Sequence, residues 1–455
     1  MNADTIFAVA SGAGQAAIAV MRLSGPDSSG VLAALCGRVP PARRASFRRL
    51  RGRDGAELDQ GMVLWLPGPG SYTGEDSAEL YLHGGRAVVT GVADALVALG
   101  ARPAEPGEFT RRAFLNGRMD LTEAEAVHDL VAAETAAQRR QALRQLDGAL
   151  GSLYGGWADR LRLLLAQQEA LIDFPDEDLP PEVEAQVLGE LASLQREVGA
   201  HLDDGRRGER LREGLVFAIT GPPNVGKSSL VNALAERDVA IVSAIPGTTR
   251  DALETRVVLG GVPVTLVDTA GLREASDEIE AEGVRRAHAR AAAADLVIEV
   301  NGVIEPPTSL AGGGWGEGAW EAAQPPPPNP LPQGEGETRV RLLVANKIDL
   351  GGAVPPGAIA VSALTGEGLD ILRARLADVA RSLTESTGPP PLTQARHRAA
   401  LQEAAARLAG AQVADLPELR AEDLRLALRA LGRITGSVGV EDILDTLFAR
   451  FCIGK

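Results

Sequence analysis

Cysteine is nearly absent from this chain. Only Cys36 and Cys452 occur among 455 residues, too few for a disulfide framework, and the five histidines join no CxxC or HExxH spacing that would hold a metal. Aromatic residues make up 3%. No window offers the ~18 uninterrupted apolar residues of a membrane-spanning helix, and the N-terminus, with Asn2, Asp4 and an early Ser11-Gly12, lacks the basic-then-apolar order of a signal peptide. The expectation is therefore a cytoplasmic protein in a reducing compartment, with no membrane partner. Positive charge is also short: 46 Lys+Arg stand against 61 Asp+Glu, a net charge of −15, which argues against holding nucleic acid mainly by phosphate neutralisation. The deficit lies in residues 119–380, whereas 1–118 and 381–455 are close to neutral, so an RNA-facing surface at either end stays open.

What is present divides the chain into two to four domains at ~100–200 residues each. Residues 1–118 mix β-like runs (Ile18-Ala19-Val20, Met62 to Leu66, Leu80-Tyr81-Leu82) with glycine turns and a helical stretch near 85–99, the pattern of an α+β domain. From 119 to 214 the pattern is helical. Leu143, Leu146, Leu150, Leu153, Trp157, Leu161 and Leu164 step by three or four along one apolar stripe, although Gly148, Gly151, Gly155 and Gly156 argue against an unbroken helix. Strand and helix patterns alternate over 215–380, as in a parallel α/β domain. Within them, residues 305–338 are rich in glycine and proline and read as a disordered surface insertion. Helices resume over 381–455, with Leu424, Leu428 and Leu431 on one stripe and Val440, Ile443, Leu444, Leu447 and Phe451 on another. The α/β domain thus reads as an insertion in a discontinuous helical domain.

Gly221-Pro222-Pro223-Asn224-Val225-Gly226-Lys227-Ser228 matches G-x-x-x-x-G-K-[ST] between a strand and a helix entered at Ser229. Backbone N–H groups of such a loop cradle phosphates, Lys227 reaches the terminal ones, and the Ser228 hydroxyl suits Mg²⁺. Asp268-Thr269-Ala270-Gly271 ends a strand with an acid for the Mg²⁺ shell and an N–H for a γ-phosphate. Asn346-Lys347-Ile348-Asp349 ends another, and Asp349 suits the N1–H and N2 donors of guanine, which adenine lacks. Ser362-Ala363-Leu364 supplies a backbone contact to the guanine carbonyl. In this order the segments select GTP. Gly247-Thr248-Thr249 falls where a mobile switch belongs, with Thr249 as a further Mg²⁺ ligand. Leu272 occupies the place of a water-orienting glutamine, and leucine can neither donate nor accept a hydrogen bond, so the catalytic group must lie elsewhere.

These residues, together with Tyr72-Thr73-Gly74-Glu75-Asp76, His83-Gly84-Gly85, residues 106–117 (PGEFTRRAFLNG), Ile172 to Glu177 and Phe451-Cys452-Ile453-Gly454-Lys455, resemble the MnmE/TrmE family of tRNA-modifying GTPases over nearly the whole chain. The resemblance implies a multidomain α/β protein. Residues 1–118 would be a folate-binding and dimerising domain, 119–214 and 381–455 the two parts of a helical domain, and 215–380 an inserted Ras-like P-loop G domain. It further implies a homodimer that works with an MnmG-type flavoprotein in a heterotetramer. Its activity would build an aminomethyl or carboxymethylaminomethyl group on C5 of the wobble uridine, position 34, of tRNA, taking one carbon from 5,10-methylenetetrahydrofolate, for which the 5-formyl form is an analogue.

On the same resemblance, Arg22, Glu79, Arg118 and Lys455 would bind the folate, Arg118 standing where lysine is frequent, and Cys452 would act on the one-carbon unit or be a packed residue. GTP hydrolysis would depend on K⁺, held by Asn224, Ser243, Ile245 and Thr248. The segment Ser243-Ala244-Ile245-Pro246-Gly247-Thr248-Thr249 would line the nucleotide, and Glu280 would orient water. The competing expectation is a ribosome-assembly GTPase that switches without substrate chemistry. It would carry a basic RNA-binding module beside the G domain, whereas both flanks here are near neutral or acidic.

Overall fold

The computed structural model describes residues 4–12, 14–173, 181–237, 254–268, 292–303, 340–386, 388–439 and 441–454. They pack as two compact units: one of residues 1–131, 142–199 and 396–455, the other of 132–141 and 200–395.

The first unit begins with β1 (Ile6–Val9), β2 (Ile18–Ser24), α1 (Ser28–Cys36), β3 (Ser46–Arg51), β4 (Glu57–Leu66), β5 (Ser77–His83), α2 (Arg86–Ala98), β6 (Arg102–Pro103) and α3 (Glu108–Leu115). The strands form one sheet in the order β3-β4-β5-β2-β1-β6, antiparallel except where β6 pairs with β1. Side chains alternate between faces along a strand. Met21, Leu23, Leu50, Val63, Trp65, Leu80 and Leu82 therefore share one buried face, covered by Leu32 and Leu35 of α1 and Val92 and Leu96 of α2. Arg22, Phe47, Met62 and Glu79 fall on the other.

The chain continues into α4 (Leu121–Ala132), α5 (Ala136–Leu146), α6 (Ala149–Asp173) and α7 (Pro181–Leu202), and the unit is completed by α11 (Ala395–Val413), α12 (Pro417–Thr435) and α13 (Glu441–Phe448). The stripe expected over 143–164 is split, because Gly148 adopts φ +80 between α5 and α6. Leu150, Trp157, Leu161 and Leu164 are buried, and Tyr154 joins them. They lie along α12, whose Leu424, Ala427, Leu431 and Ile434 are also buried.

The α/β unit contains α8 (Arg207–Glu213), β7 (Leu215–Thr220), α9 (Lys227–Arg237), β8 (Glu254–Leu259), β9 (Val262–Asp268), β10 (Leu296–Gly302), β11 (Val340–Asn346), β12 (Ile359–Ala360) and α10 (Leu369–Thr384). Its sheet runs β12-β11-β10-β7-β9-β8, parallel except for β8. A central parallel strand is buried on both faces, which explains the unbroken apolar run of β7. Gly260 and Gly261, both at positive φ, turn the β8–β9 hairpin. Residues 305–338 fall between β10 and β11, outside the described residues.

Packing groups the chain differently from the expected boundaries at 118/119, 214/215 and 380/381. Phe114 and Met119 share a cluster with Leu121, Ala124, Leu444, Phe448 and Phe451, which joins the N-terminal and helical parts. Leu211 of α8 enters the core of the α/β sheet, while Gln138 and Gln141 donate to the Arg212 and Gly208 carbonyls at 3.1 and 3.0 Å. These helical residues therefore belong with the α/β unit.

Candidate functional site

The carboxyl ends of β7, β9 and β11 are brought level by register: Ile219 stands opposite Asp268, Thr220 opposite Glu299, and Gly302 opposite Asn346. This is the edge at which open α/β sheets bind ligands. Gly221 leaves β7 at φ +143, where a Cβ would lie 2.0 Å from the Val300 carbonyl oxygen, so only glycine fits. Gly226 is equally confined, its missing Cβ falling 2.5 Å from Asn346 Nδ2, and Asn224 adopts φ +63. The buried Lys227 ammonium donates to the carbonyls of Gly221 and Pro222 at 3.0 and 2.6 Å, which aims it into the loop.

Ser228 Oγ donates to Asp268 Oδ2 at 2.6 Å. A hydroxyl and a carboxylate side by side at the end of the phosphate loop are hard oxygen donors, the chemistry Mg²⁺ takes. On the other flank Asn346 works as a brace. Its Nδ2 donates to Val225 O at 2.8 Å, and its Oδ1 accepts from Ala363 N at 3.0 Å. Lys347 donates to Asn224 O at 2.7 Å, while Ser362 Oγ donates to Asp349 Oδ1 at 2.5 Å and so orients the carboxylate proposed to read guanine. Asn224, Val225, Gly226, Lys227, Ser228, Ser229, Asp268, Asn346, Lys347, Asp349, Ser362, Ala363 and Leu364 thus occupy one edge. Ser243, Ala244, Ile245, Pro246, Gly247, Thr248, Thr249, Thr269, Ala270, Gly271 and Glu280 lie outside the described residues.

A second constellation sits on the sheet of the first unit. Arg22 on β2 stands directly across from Glu79 on β5. Its Nε and Nη2 donate to Glu79 Oε1 at 3.2 and 3.0 Å, and Tyr81 donates to Oε2 at 3.0 Å. The guanidinium lies 5.3 Å from the Tyr72 ring centre and 5.8 Å from that of Phe109. Burial pushes both phenols up, and the neighbouring Glu79 carboxylate adds to the shift of Tyr81, so both remain O–H donors. A carboxylate with a cation and aromatic walls fits a flat heterocycle with amide-like donors and an anionic tail.

Arg118 is exposed. Its Cγ would lie 3.2 Å from a Cβ on Gly74, which places it against the Tyr72–Asp76 loop. Gly454, at φ +96, lies so close to β1 that a Cβ would meet Val9 O at 2.5 Å, and Ala8 stands across from Arg22. Cys452, two residues earlier, is exposed, and Lys455 lies outside the described residues.

Sequence reasoning missed Tyr81, Phe109 and the scaffold around them. Arg112, buried, bonds Glu108, Glu75 and Asp4, and Arg102 bonds Glu108 and Asp4. Burial alone would raise the Glu108 carboxyl, but Arg102 and Arg112 outweigh it and hold it low. Ser24 links Thr73 and Glu75 through its hydroxyl at 2.6 and 2.7 Å. The 72–76 and 106–117 motifs therefore brace the site, a role for which Arg112 and Glu108 in PGEFTRRAFLNG were the available signal.

Among known proteins, the chain matches the family described as MnmE helical domain over residues 121–452 and that described as GTP-binding protein TrmE N-terminus over 5–118. It is 60% identical to a tRNA modification GTPase MnmE from Gluconacetobacter diazotrophicus, with 99% of this chain and 98% of that protein covered. The namesake from Granulibacter bethesdensis is 56% identical and that from Rhodospirillum rubrum 54%, each match covering 100% of both chains.

Proposed function

The chain belongs to the MnmE family of tRNA modification GTPases, and from that premise we propose a K⁺-stimulated GTPase that modifies the tRNA wobble uridine. With an MnmG-type flavoprotein, in a heterotetramer built on a homodimer of residues 1–118, it adds an aminomethyl or carboxymethylaminomethyl group to C5 of uridine 34. The one-carbon unit comes from a methylene-tetrahydrofolate. The observation that carries this reading is the pairing within one chain of a phosphate-loop edge, on which Ser362 orients Asp349, with the separate Arg22–Glu79 constellation, beside which Gly454 is seated.

In the GTPase reaction the phosphate loop and Lys227 fix the phosphates, and Asp349 with a backbone contact from the Ser362–Leu364 segment holds the base. Mg²⁺ and K⁺, when bound, supply positive charge against the charge developing on the phosphates. Ser228, Asp268 and Thr249 would hold the first, and Asn224, Ser243, Ile245 and Thr248 the second. Glu280 orients the attacking water, a task Leu272 cannot perform. At the second constellation Glu79 accepts from the donors of the folate ring, Arg22 and Tyr81 hold Glu79 in place, and Arg118 and Lys455 meet the tail carboxylates. Cys452 is positioned on the segment that reaches this site.

The test is reconstitution of the full chain with the flavoprotein, GTP, K⁺, methylene-folate and undermodified tRNA, followed by nucleoside analysis. A new wobble-uridine product is expected, and its absence would favour an assembly switch. Glu280→Ala should lower K⁺-dependent hydrolysis at least ~100-fold; parental turnover would remove Glu280 from the mechanism.

A further inference from the structure

We infer that the edge of the N-terminal sheet formed by β3 and the loop before it is the surface on which the tRNA phosphate backbone docks, an inference that rests on tRNA being the substrate. The 26 residues from Ser28 to Arg53 contain seven arginines and no carboxylate, in a chain whose net charge is −15. The rest of residues 1–118 is net negative, so the positive charge of this domain is concentrated here.

The structure places that charge on one margin. β3 is the outermost strand of the sheet. Alternation turns Leu50 inward to 0% exposure and leaves Phe47, Arg49 and Arg51 on the solvent side, with Arg43, Arg44 and Arg53 exposed at the two ends of the strand. Among the described residues one carboxylate approaches this set: Glu57, 3.9 Å from Arg49. Of the other nearby acids, Asp54 accepts from Ala56 N, and Asp59 is engaged by His83 through its backbone N–H and its ring.

The loop is also preorganised. Arg43 adopts φ +57, its N–H donates to Trp65 O at 2.8 Å, and its guanidinium donates to Gly70 O at 2.7 Å. Charges on an edge strand also discourage pairing with another sheet. That purpose does not account for Arg43 and Arg44, which lie off the ladder, nor for Phe47, which is 59% exposed in a chain that is 3% aromatic. An exposed ring flanked by guanidinium groups is the combination that grips RNA, the ring stacking on an unpaired base while the arginines take phosphates. It also reconciles an acidic protein with an RNA substrate, because a local field steers a polyanion whatever the net charge.

The experiment measures binding of a fluorescent, undermodified tRNA transcript to the full chain, alone and with the flavoprotein, between 50 and 200 mM salt. The triple variant Arg49→Gln/Arg51→Gln/Arg53→Gln should lose at least ~10-fold in affinity, and the slope of log K against log salt should fall by about 2 to 3. Phe47→Ala should weaken binding with no change in slope. The matching Arg→Lys triple variant should bind nearly as the parent, which separates charge from folding. Throughout, GTP binding and circular dichroism should match the parent. Parental affinity and slope in the Gln triple variant would overturn the inference while leaving the tRNA reading intact. Loss of flavoprotein binding with unchanged tRNA affinity would likewise overturn it, assigning the edge to a protein partner. A parent chain that binds no tRNA in either form would overturn both.

Discussion

Glu125 gives the most quantitative expectation. Its carboxylate, 5% exposed on α4, accepts from Arg396 Nε and Nη2 at 2.5 and 2.8 Å and from His397 Nε2 at 2.8 Å. Arg396 also donates to the Arg433 and Ile434 carbonyls, both at 3.0 Å, so one carboxylate ties α4, α11 and the end of α12. Burial would raise its pKa, but His397 and Arg396 outweigh that and hold it at about 2, against 4.5 for a free glutamate. A depression of that size corresponds to roughly 3 kcal/mol. Removing the carboxylate also strips partners from the remaining groups, so Glu125→Gln should cost about 3–5 kcal/mol. The folded pKa lies below the unfolded one, so the contribution is complete above pH ~4.5 and fades as pH falls toward 2. Burial drives the His397 imidazole down despite the pull of Glu125, so acidification below its free value of 6.5 also works against the fold. Because a chain of two units need not unfold in one step, the assay is hydrogen exchange of α4, α11 and α12 in the variant and parent, at pH 7 and pH 3.5. Slowest-exchanging amides that keep parental protection within ~1 kcal/mol at pH 7 would refute the reasoning.

Gly221→Ala adds a Cβ 2.0 Å from a carbonyl oxygen at a left-handed position, so GTP affinity should fall at least ~10-fold, with a loss of about 1–3 kcal/mol in the α/β unit, read by nucleotide titration and thermal melting. Asp349→Asn removes the acceptor for two guanine donors and should weaken GTP binding by ~100-fold or more in a direct titration, with less effect on ATP. Gly454→Ala would force the segment carrying Cys452 off Val9; calorimetry should show weaker binding of a 5-formyl folate, while GTP turnover without tRNA stays parental.

Legibility from sequence followed how local each constraint is. The phosphate loop, Asp268 and the Asn346–Asp349 segment were readable because each is a strand end plus a few residues at fixed spacing. So were the short β-like runs that lie in β2, β4 and β5. The stripe from Leu143 to Leu164 held from Leu150 onward at Leu150, Trp157, Leu161 and Leu164, whereas Leu143 is exposed, and it was wrong in continuity, since Gly148 takes a conformation that ends one helix and starts another. It also passed over Tyr154, 1% exposed, whose position between two stripe residues becomes core only once α12 packs beside it. Illegible altogether were the contacts between distant segments. Glu125 with His397, or Gly107 against Phe448 and Phe451, joins residues hundreds of positions apart, and no periodicity announces such partners.

The seating of residues 444–454 on the N-terminal part has a consequence in time. Gly107 and Val9 meet Phe448 and Gly454, so one portion of the chain completes its packing with another that leaves the ribosome about 340 residues later. At ~5–20 residues per second, the N-terminal sheet waits on the order of 20–70 seconds for Phe448, Phe451 and Gly454. During that interval Phe114, Met119, Leu121 and Ala124, which pack with Phe448 and Phe451, stand open to solvent and to other chains. A ribosome halted after residue 440 would release a chain that contains the phosphate loop and the Asn346–Asp349 segment and lacks the packing of Phe448 and Phe451 on Gly107, so nucleotide binding alone is a poor measure of whether this protein has finished folding.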